Sequence, residues 1–131
     1  MGKFVASKTM KLMIQKGMKI VGSHVLVLGF TFKENCPDTR NTKVIDVVRE
    51  LEAFGVNVDV YDPYAMKEKV KKEYALTLLD QQPNILPYDA IIVAVAHEVF
   101  KTIDFKAIHE QGKVVFDTKA LVEREWVDGR L

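Results

Sequence analysis

Three segments of this chain are apolar at every position rather than at every second one. They are the run that follows His24 (Val25-Leu26-Val27-Leu28-Gly29-Phe30), then Ala90-Ile91-Ile92-Val93-Ala94-Val95, then Val114-Val115-Phe116. A strand with one wet face alternates, whereas a strand buried on both faces does not. Helical patterns separate these runs. Val44, Ile45, Val47, Val48, Leu51 and Phe54 form a wide apolar face that Asn41 or Thr42 can cap and Gly55 can stop. Strand–helix–strand alternation around doubly buried strands means a parallel sheet with helices on both faces.

The remaining elements fit that plan. Residues 3–17 read as a helix: Phe4, Val5, Met10, Met13 and Ile14 recur at helical spacing, lysines line the other side, and Gly17 is a stop. Val56-Asn57-Val58-Asp59-Val60-Tyr61 alternates as a strand closed by Asp62-Pro63. A charged helix is expected over 67–74 and a short edge strand over 75–79. A helix or broken helix is expected over 97–108, ended by Gly112. Residues 118–131 read as a polar tail with a lone Trp126. The one boundary signal falls at 18–23.

Several function classes are excluded. Nineteen basic against 18 acidic residues give a net charge of +1, which is no footprint for nucleic acid. One cysteine permits no internal disulfide and suits a reducing cytoplasm. No apolar stretch reaches the roughly 20 residues that span a bilayer, and the first residues lack the apolar region of a signal peptide.

In an open parallel sheet, ligands bind outside the carboxyl ends of the strands. The richest loop there is Thr31 to Thr42. It is long for a strand-to-helix link and ends at a helix N-terminus, where backbone N–H groups and the helix dipole favour an anion. Lys33 and Arg40 add positive charge. The competing reading is a solvated loop in which Lys33 and Arg40 pair with Glu34 and Asp38. Gly29 stands alone, so the dinucleotide glycine fingerprint is absent, as is a phosphate-binding Walker loop. Cys36 has no histidine beside it in sequence and reads as a small residue rather than a nucleophile. Asp62 reads as a strand-terminating turn. His97 reads as bonding the following helix or a neighbouring loop in preference to acting as a base. His24 and His109 show no metal-ligand spacing. Lys119 follows the last strand and projects from the same sheet edge as Lys33, where it could help clamp an anion.

Three stretches carry a resemblance: Val25 to Lys33, Asp38-Thr39-Arg40-Asn41-Thr42, and Val58-Asp59-Val60-Tyr61-Asp62-Pro63. They resemble the C-terminal, UDP-binding domain of the UDP-glucose/GDP-mannose dehydrogenase family. Glu34-Asn35-Cys36-Pro37 looks most like members that oxidise UDP-N-acetylhexosamines for surface polysaccharide. The start of the chain resembles the helix that joins the two halves of those enzymes. The resemblance implies a Rossmann-like three-layer α/β domain with a mostly parallel sheet of about five strands. Residues 1–20 would be the end of an interdomain helix and residues 21–131 the UDP-binding domain.

It further implies part of a cytoplasmic, NAD-dependent UDP-sugar 6-dehydrogenase, which oxidises the sugar C6 alcohol to a carboxylate. Phe32 and Lys33 would contact the nucleotide sugar, Lys119 would assist, and Arg40 would reach NAD from across the cleft. NAD would be held mainly by an N-terminal half. That half's glycine-rich motif and nucleophilic cysteine motif are both missing from this sequence, so the fragment alone is expected to be inactive. The expected partners are a UDP-sugar, that N-terminal half, and a second copy bound through the 3–17 helix. Phe4, Met10, Met13 and Ile14 would then be an exposed face that has lost its cover. The alternative is a non-enzymatic flavodoxin-like interaction module. A phospho-receiver version of it would need acids where Thr31-Phe32 stands.

Overall fold

The structure, a computed structural model, describes residues 2–131. The elements run α1 (Gly2–Gln15), β1 (His24–Leu28), α2 (Val44–Ala53), β2 (Asn57–Tyr61), α3 (Lys67–Tyr74), β3 (Ala90–Val93), a 3₁₀ helix (Glu98–Thr102), α4 (Phe105–Glu110), β4 (Val114–Asp117), a 3₁₀ turn (Arg124–Trp126) and β5 (Gly129–Arg130). The sheet has five strands in the order β2-β1-β3-β4-β5. Every pairing is parallel, with Val25 opposite Val58 and Ala90, and Ile92 opposite Phe116. The order reverses between β1 and β3, which is the switch point of a doubly wound sheet.

The unbroken apolar runs divide their residues between two cores, because successive side chains of a strand point to opposite faces. Val25, Val27, Ile92 and Phe116 pack with Val5, Met13, Val48 and Leu51 on one side. Leu26, Leu28, Ile91 and Val115 pack with Phe100, Phe105 and Ile108 on the other. Three layers result, as the resemblance implied.

Three expectations are corrected. Residues 75–79 are not a strand. Ala75 takes a left-handed conformation (φ 56°) at the end of α3, and Leu79 N donates to Val60 O without a ladder. The segment instead buries Leu76 and Leu78 beneath α3 and the sheet edge. Residues 118–131 are not merely a polar tail, since they return to the sheet and add β5 beside β4. Gly129 permits this approach, because a Cβ there would lie 2.8 Å from the Phe116 ring. The 97–108 segment takes the broken form that its sequence allowed, and Asp104 starts α4 by accepting from Ala107 N at 3.1 Å. Finally, Met10 and Met13 are buried against this same domain, leaving only Phe4 and Ile14 of the expected apolar face exposed. α1 packs along α2 and over β4. Among the described residues, no helix is long and apolar enough to cross a membrane.

Candidate functional site

The carboxyl ends of β1, β3 and β4 open on one side of the sheet. Gly29 leaves β1 with φ 98°, and a Cβ at this position would lie 2.5 Å from Val95 Cβ. The glycine therefore lets the ends of β1 and β3 meet. Its role here is packing.

Asp62 organises the start of the long loop. It is more than a turn residue. Oδ1 accepts from Tyr64 N (2.8 Å) and Ala65 N (3.2 Å), forming the expected turn. Oδ2 reaches across to β1 and accepts from Phe30 N (2.6 Å), Thr31 N (3.0 Å) and His97 Nε2 (2.9 Å). Burial pushes this carboxyl up. The hydrogen bonds from His97, Phe30 and Tyr64 outweigh burial and hold it below the usual carboxylate range.

His97 is fully buried. Its Nδ1 accepts from Asn35 N at 2.9 Å, so Nδ1 carries no proton and the ring hydrogen sits on Nε2. Nε2 also lies 3.2 Å from Thr31 Oγ1, whose own hydrogen goes to Lys33 O at 3.0 Å. Hydroxyl, imidazole and carboxylate are thus together, but not as a relay. Thr31 and Asp62 meet the same ring nitrogen, and all three side chains are sealed from solvent. The expected bond from His97 to a neighbouring loop is what the structure shows. With both ring nitrogens occupied, none is left for the Cys36 thiol.

A cavity of about 310 Å³ lies at the switch point. Phe32, Thr42 and Lys43 form one wall, Ala94 and Val95 the floor, and Thr118 and Lys119 the far wall, with Gly2 of α1 at the rim. Among the described residues no aspartate or glutamate lines it, and the charged side chains that do are Lys43 and Lys119. Asp117, itself fully buried, shapes the far wall by accepting from Lys119 N (2.9 Å) and Val122 N (2.7 Å). Thr42 Oγ1 accepts from Val44 N at 3.2 Å and supports the start of α2.

The sequence candidates divide. Phe32 and Lys119 line the cavity, while Lys33 and Arg40 lie outside its lining on the exposed loop. Arg40 forks onto Asp38, with Nε–Oδ1 and Nη2–Oδ2 both 3.1 Å, and this partner holds the Asp38 carboxyl down at about 2. That half of the solvated-loop reading is observed. Lys43 was missed. Its signal was its place directly after Thr42, at the first turn of the helix where the loop ends. Among the described residues, no three His, Cys, Asp or Glu side chains converge as a metal site.

An all-parallel sheet that reverses at a switch point defines a doubly wound α/β domain, and its basic cavity lies where such sheets take their ligands. The strand order alone is shared with flavodoxin-like domains. Comparison with known proteins gives the family. The chain belongs to the UDP-glucose/GDP-mannose dehydrogenase family, whose UDP binding domain matches residues 26–124. It is similar to the UDP-N-acetyl-D-glucosamine 6-dehydrogenase of Salmonella typhi, with 46% identity over 134 residues, covering 100% of this chain and 31% of that protein. The enzyme of the same name from Pseudomonas aeruginosa is 43% identical, with 100% and 32% covered. The structure of a UDP-glucose dehydrogenase from Pyrobaculum islandicum superposes with a TM-score of 0.73 at 27% identity, over 97% of this chain and 29% of that one. A UDP-D-ManNAc dehydrogenase from Pyrococcus horikoshii shares the fold (TM-score 0.78, 21% identity, 98% and 30% covered). The chain spans about a third of the length of these relatives.

Proposed function

We propose that this chain binds the UDP end of a nucleotide sugar in the switch-point cavity. It would do so as the UDP-binding part of an NAD-dependent UDP-sugar 6-dehydrogenase. The observation that carries the reading is the cavity: basic, free of acid, and at the switch point of a chain in this family. Lys119 and Lys43 neutralise the pyrophosphate, and the first turn of α2 adds its dipole. Phe32, exposed at the mouth, offers an apolar face to the nucleoside or sugar. Lys33, exposed at the adjacent loop position, would reach the same ligand. Arg40 exchanges Asp38 for NAD across the cleft of the complete enzyme.

The names of the two similar enzymes from Salmonella typhi and Pseudomonas aeruginosa support a UDP-N-acetylhexosamine as substrate. NAD⁺, held mainly by the rest of the enzyme, would accept the hydrides: taking the C6 alcohol to a carboxylate is a four-electron oxidation that uses two NAD⁺ and one water. This chain's residues bind and orient the nucleotide, so that C6 is presented to groups supplied from elsewhere. Phe4 and Ile14, exposed on α1, support contact with that remainder or with a second copy. The single cysteine supports a cytoplasmic setting.

Calorimetric titration with UDP, UDP-N-acetylglucosamine and NAD⁺ tests the reading. UDP and the UDP-sugar are expected to bind, and Lys119→Ala and Lys33→Ala each to weaken them about tenfold, or about 1.4 kcal/mol. NAD⁺ is expected to give no saturable heat. Absence of UDP binding at about 10 mM ligand, a concentration that detects even millimolar affinity, refutes it.

A further inference from the structure

We infer that His97 is a positioning residue for the nucleotide-binding loop, acting through its Nδ1 atom on Asn35. His97 lies outside the cavity lining, yet it helps hold the segment bearing Phe32 and Lys33, in which Phe32 N also donates to Asp38 O at 2.7 Å. The segment is anchored at both ends. At one end Thr31 N is fixed to Asp62 Oδ2, and Thr31 Oγ1 approaches His97 Nε2. At the other end Asn35 is attached twice to the chain that follows β3. Its N–H donates to His97 Nδ1 at 2.9 Å, and its Oδ1 accepts from Glu98 N at 3.0 Å. Lys33 sits midway, two residues from each anchor, with its carbonyl held by Thr31 Oγ1.

The ring is fixed from every side. Asp62 claims the Nε2 hydrogen, and the Tyr64 and Phe100 rings pack against the imidazole with centroids 4.6 and 5.3 Å away. Asp62 therefore dictates which nitrogen carries the hydrogen, and so leaves Nδ1 as an acceptor for the loop. Asn35 holds a left-handed conformation (φ 56°). Asparagine tolerates that conformation well, and the two bonds lock it. Exposed side chains on a long loop would otherwise sample many arrangements, and ordering them would weaken binding. The clamp does that ordering before ligand arrives.

The two ring nitrogens can be tested separately, because amide side chains copy them one at a time. His97→Asn places an acceptor where Nδ1 stands. His97→Gln places a donor where Nε2 stands and abandons Asn35. The inference rests on the UDP reading for its consequence but not for its geometry, so two readouts are taken on the 131-residue chain. The first is hydrogen exchange of the Asn35 amide, without ligand. His97→Gln should speed it about tenfold or more, the effect of leaving that N–H unpaired, and His97→Asn should recover most of the protection. The second is UDP affinity, which should fall about tenfold in His97→Gln and recover in His97→Asn. Asn35→Ala, an exposed change that spares the buried pair, keeps the N–H bond to Nδ1 but removes the Oδ1 bond to Glu98 N and places alanine at positive φ. It should weaken UDP in the same direction while sheet amides keep their protection, so it tests the Asn35 anchor if a His97 variant does not fold, and unchanged UDP affinity in it overturns that anchor.

Unchanged Asn35 exchange in His97→Gln overturns the clamp. Altered exchange with unaltered UDP affinity overturns the positioning role. An intact exchange pattern in a chain that never binds UDP refutes the UDP reading and the positioning role, and leaves the clamp geometry standing.

Discussion

Asp62→Asn is the substitution that most sharply separates a built site from a turn residue. The carboxylate accepts five hydrogen bonds, three on Oδ2 and two on Oδ1, in a residue only 3% exposed. A carboxamide has one oxygen. Whichever way it is turned, its NH₂ faces at least two N–H donors and satisfies neither. Each unsatisfied buried group costs about 1–3 kcal/mol, so a loss of about 2–6 kcal/mol is expected. With a urea m-value of about 2 kcal/mol/M for a domain of this size, the unfolding midpoint should fall by about 1–3 M. A fall of less than about 0.3 M would refute the assignment of these bonds. The pH dependence adds a second check. The folded carboxyl lies below its unfolded value, so its stabilisation is complete above the unfolded value of about 3.9 and lost as pH falls through the folded one. The asparagine lacks this term. The stability gap between parent and variant should therefore narrow below about pH 4, and a gap that widens there contradicts the sign.

Other substitutions probe the rest of the account. Gly29→Ala forces a Cβ to 2.5 Å from Val95 Cβ at positive φ. It should cost about 3 kcal/mol or more by thermal or urea unfolding, through overpacking and backbone strain together. Met13→Ala removes a fully buried side chain of α1 and should cost about 2–5 kcal/mol by the same assay. A cost near zero would mean that α1 does not belong to this core. Arg40→Ala breaks an exposed ion pair and should leave the thermal unfolding midpoint essentially unchanged, while raising KM for NAD in the complete enzyme. An unchanged KM would remove Arg40 from the NAD site.

The layers of the fold were legible because burial on both faces leaves an unbroken apolar run, and only a parallel, doubly covered sheet produces three of these. The end of the chain was not. β5 is two residues long, and Gly129 contributes a close approach to Phe116 that no local periodicity reports. The methionines of α1 showed a helical face but not its partner, since a sequence gives the stripe and not what covers it. At the site, the anion-favouring loop was visible from its length and its helix terminus. Lys43 was hidden because lysines are mostly solvated, and only the cavity distinguishes it from Lys67 or Lys72. Asp62 and His97 were read from their local roles, a turn and a loop contact, and both roles hold. That they meet lies in the crossing of two strand ends 35 residues apart.

The central claim is that the switch-point cavity is where UDP sits. Amide chemical shifts of the ¹⁵N-labelled chain during a UDP titration test it most directly. The account predicts saturable shifts at Phe32, Thr42, Lys43, Thr118 and Lys119 that Lys119→Ala weakens. Shifts confined to another surface, or none at several millimolar UDP, a range that detects even millimolar affinity, would contradict it and favour a flavodoxin-like interaction module.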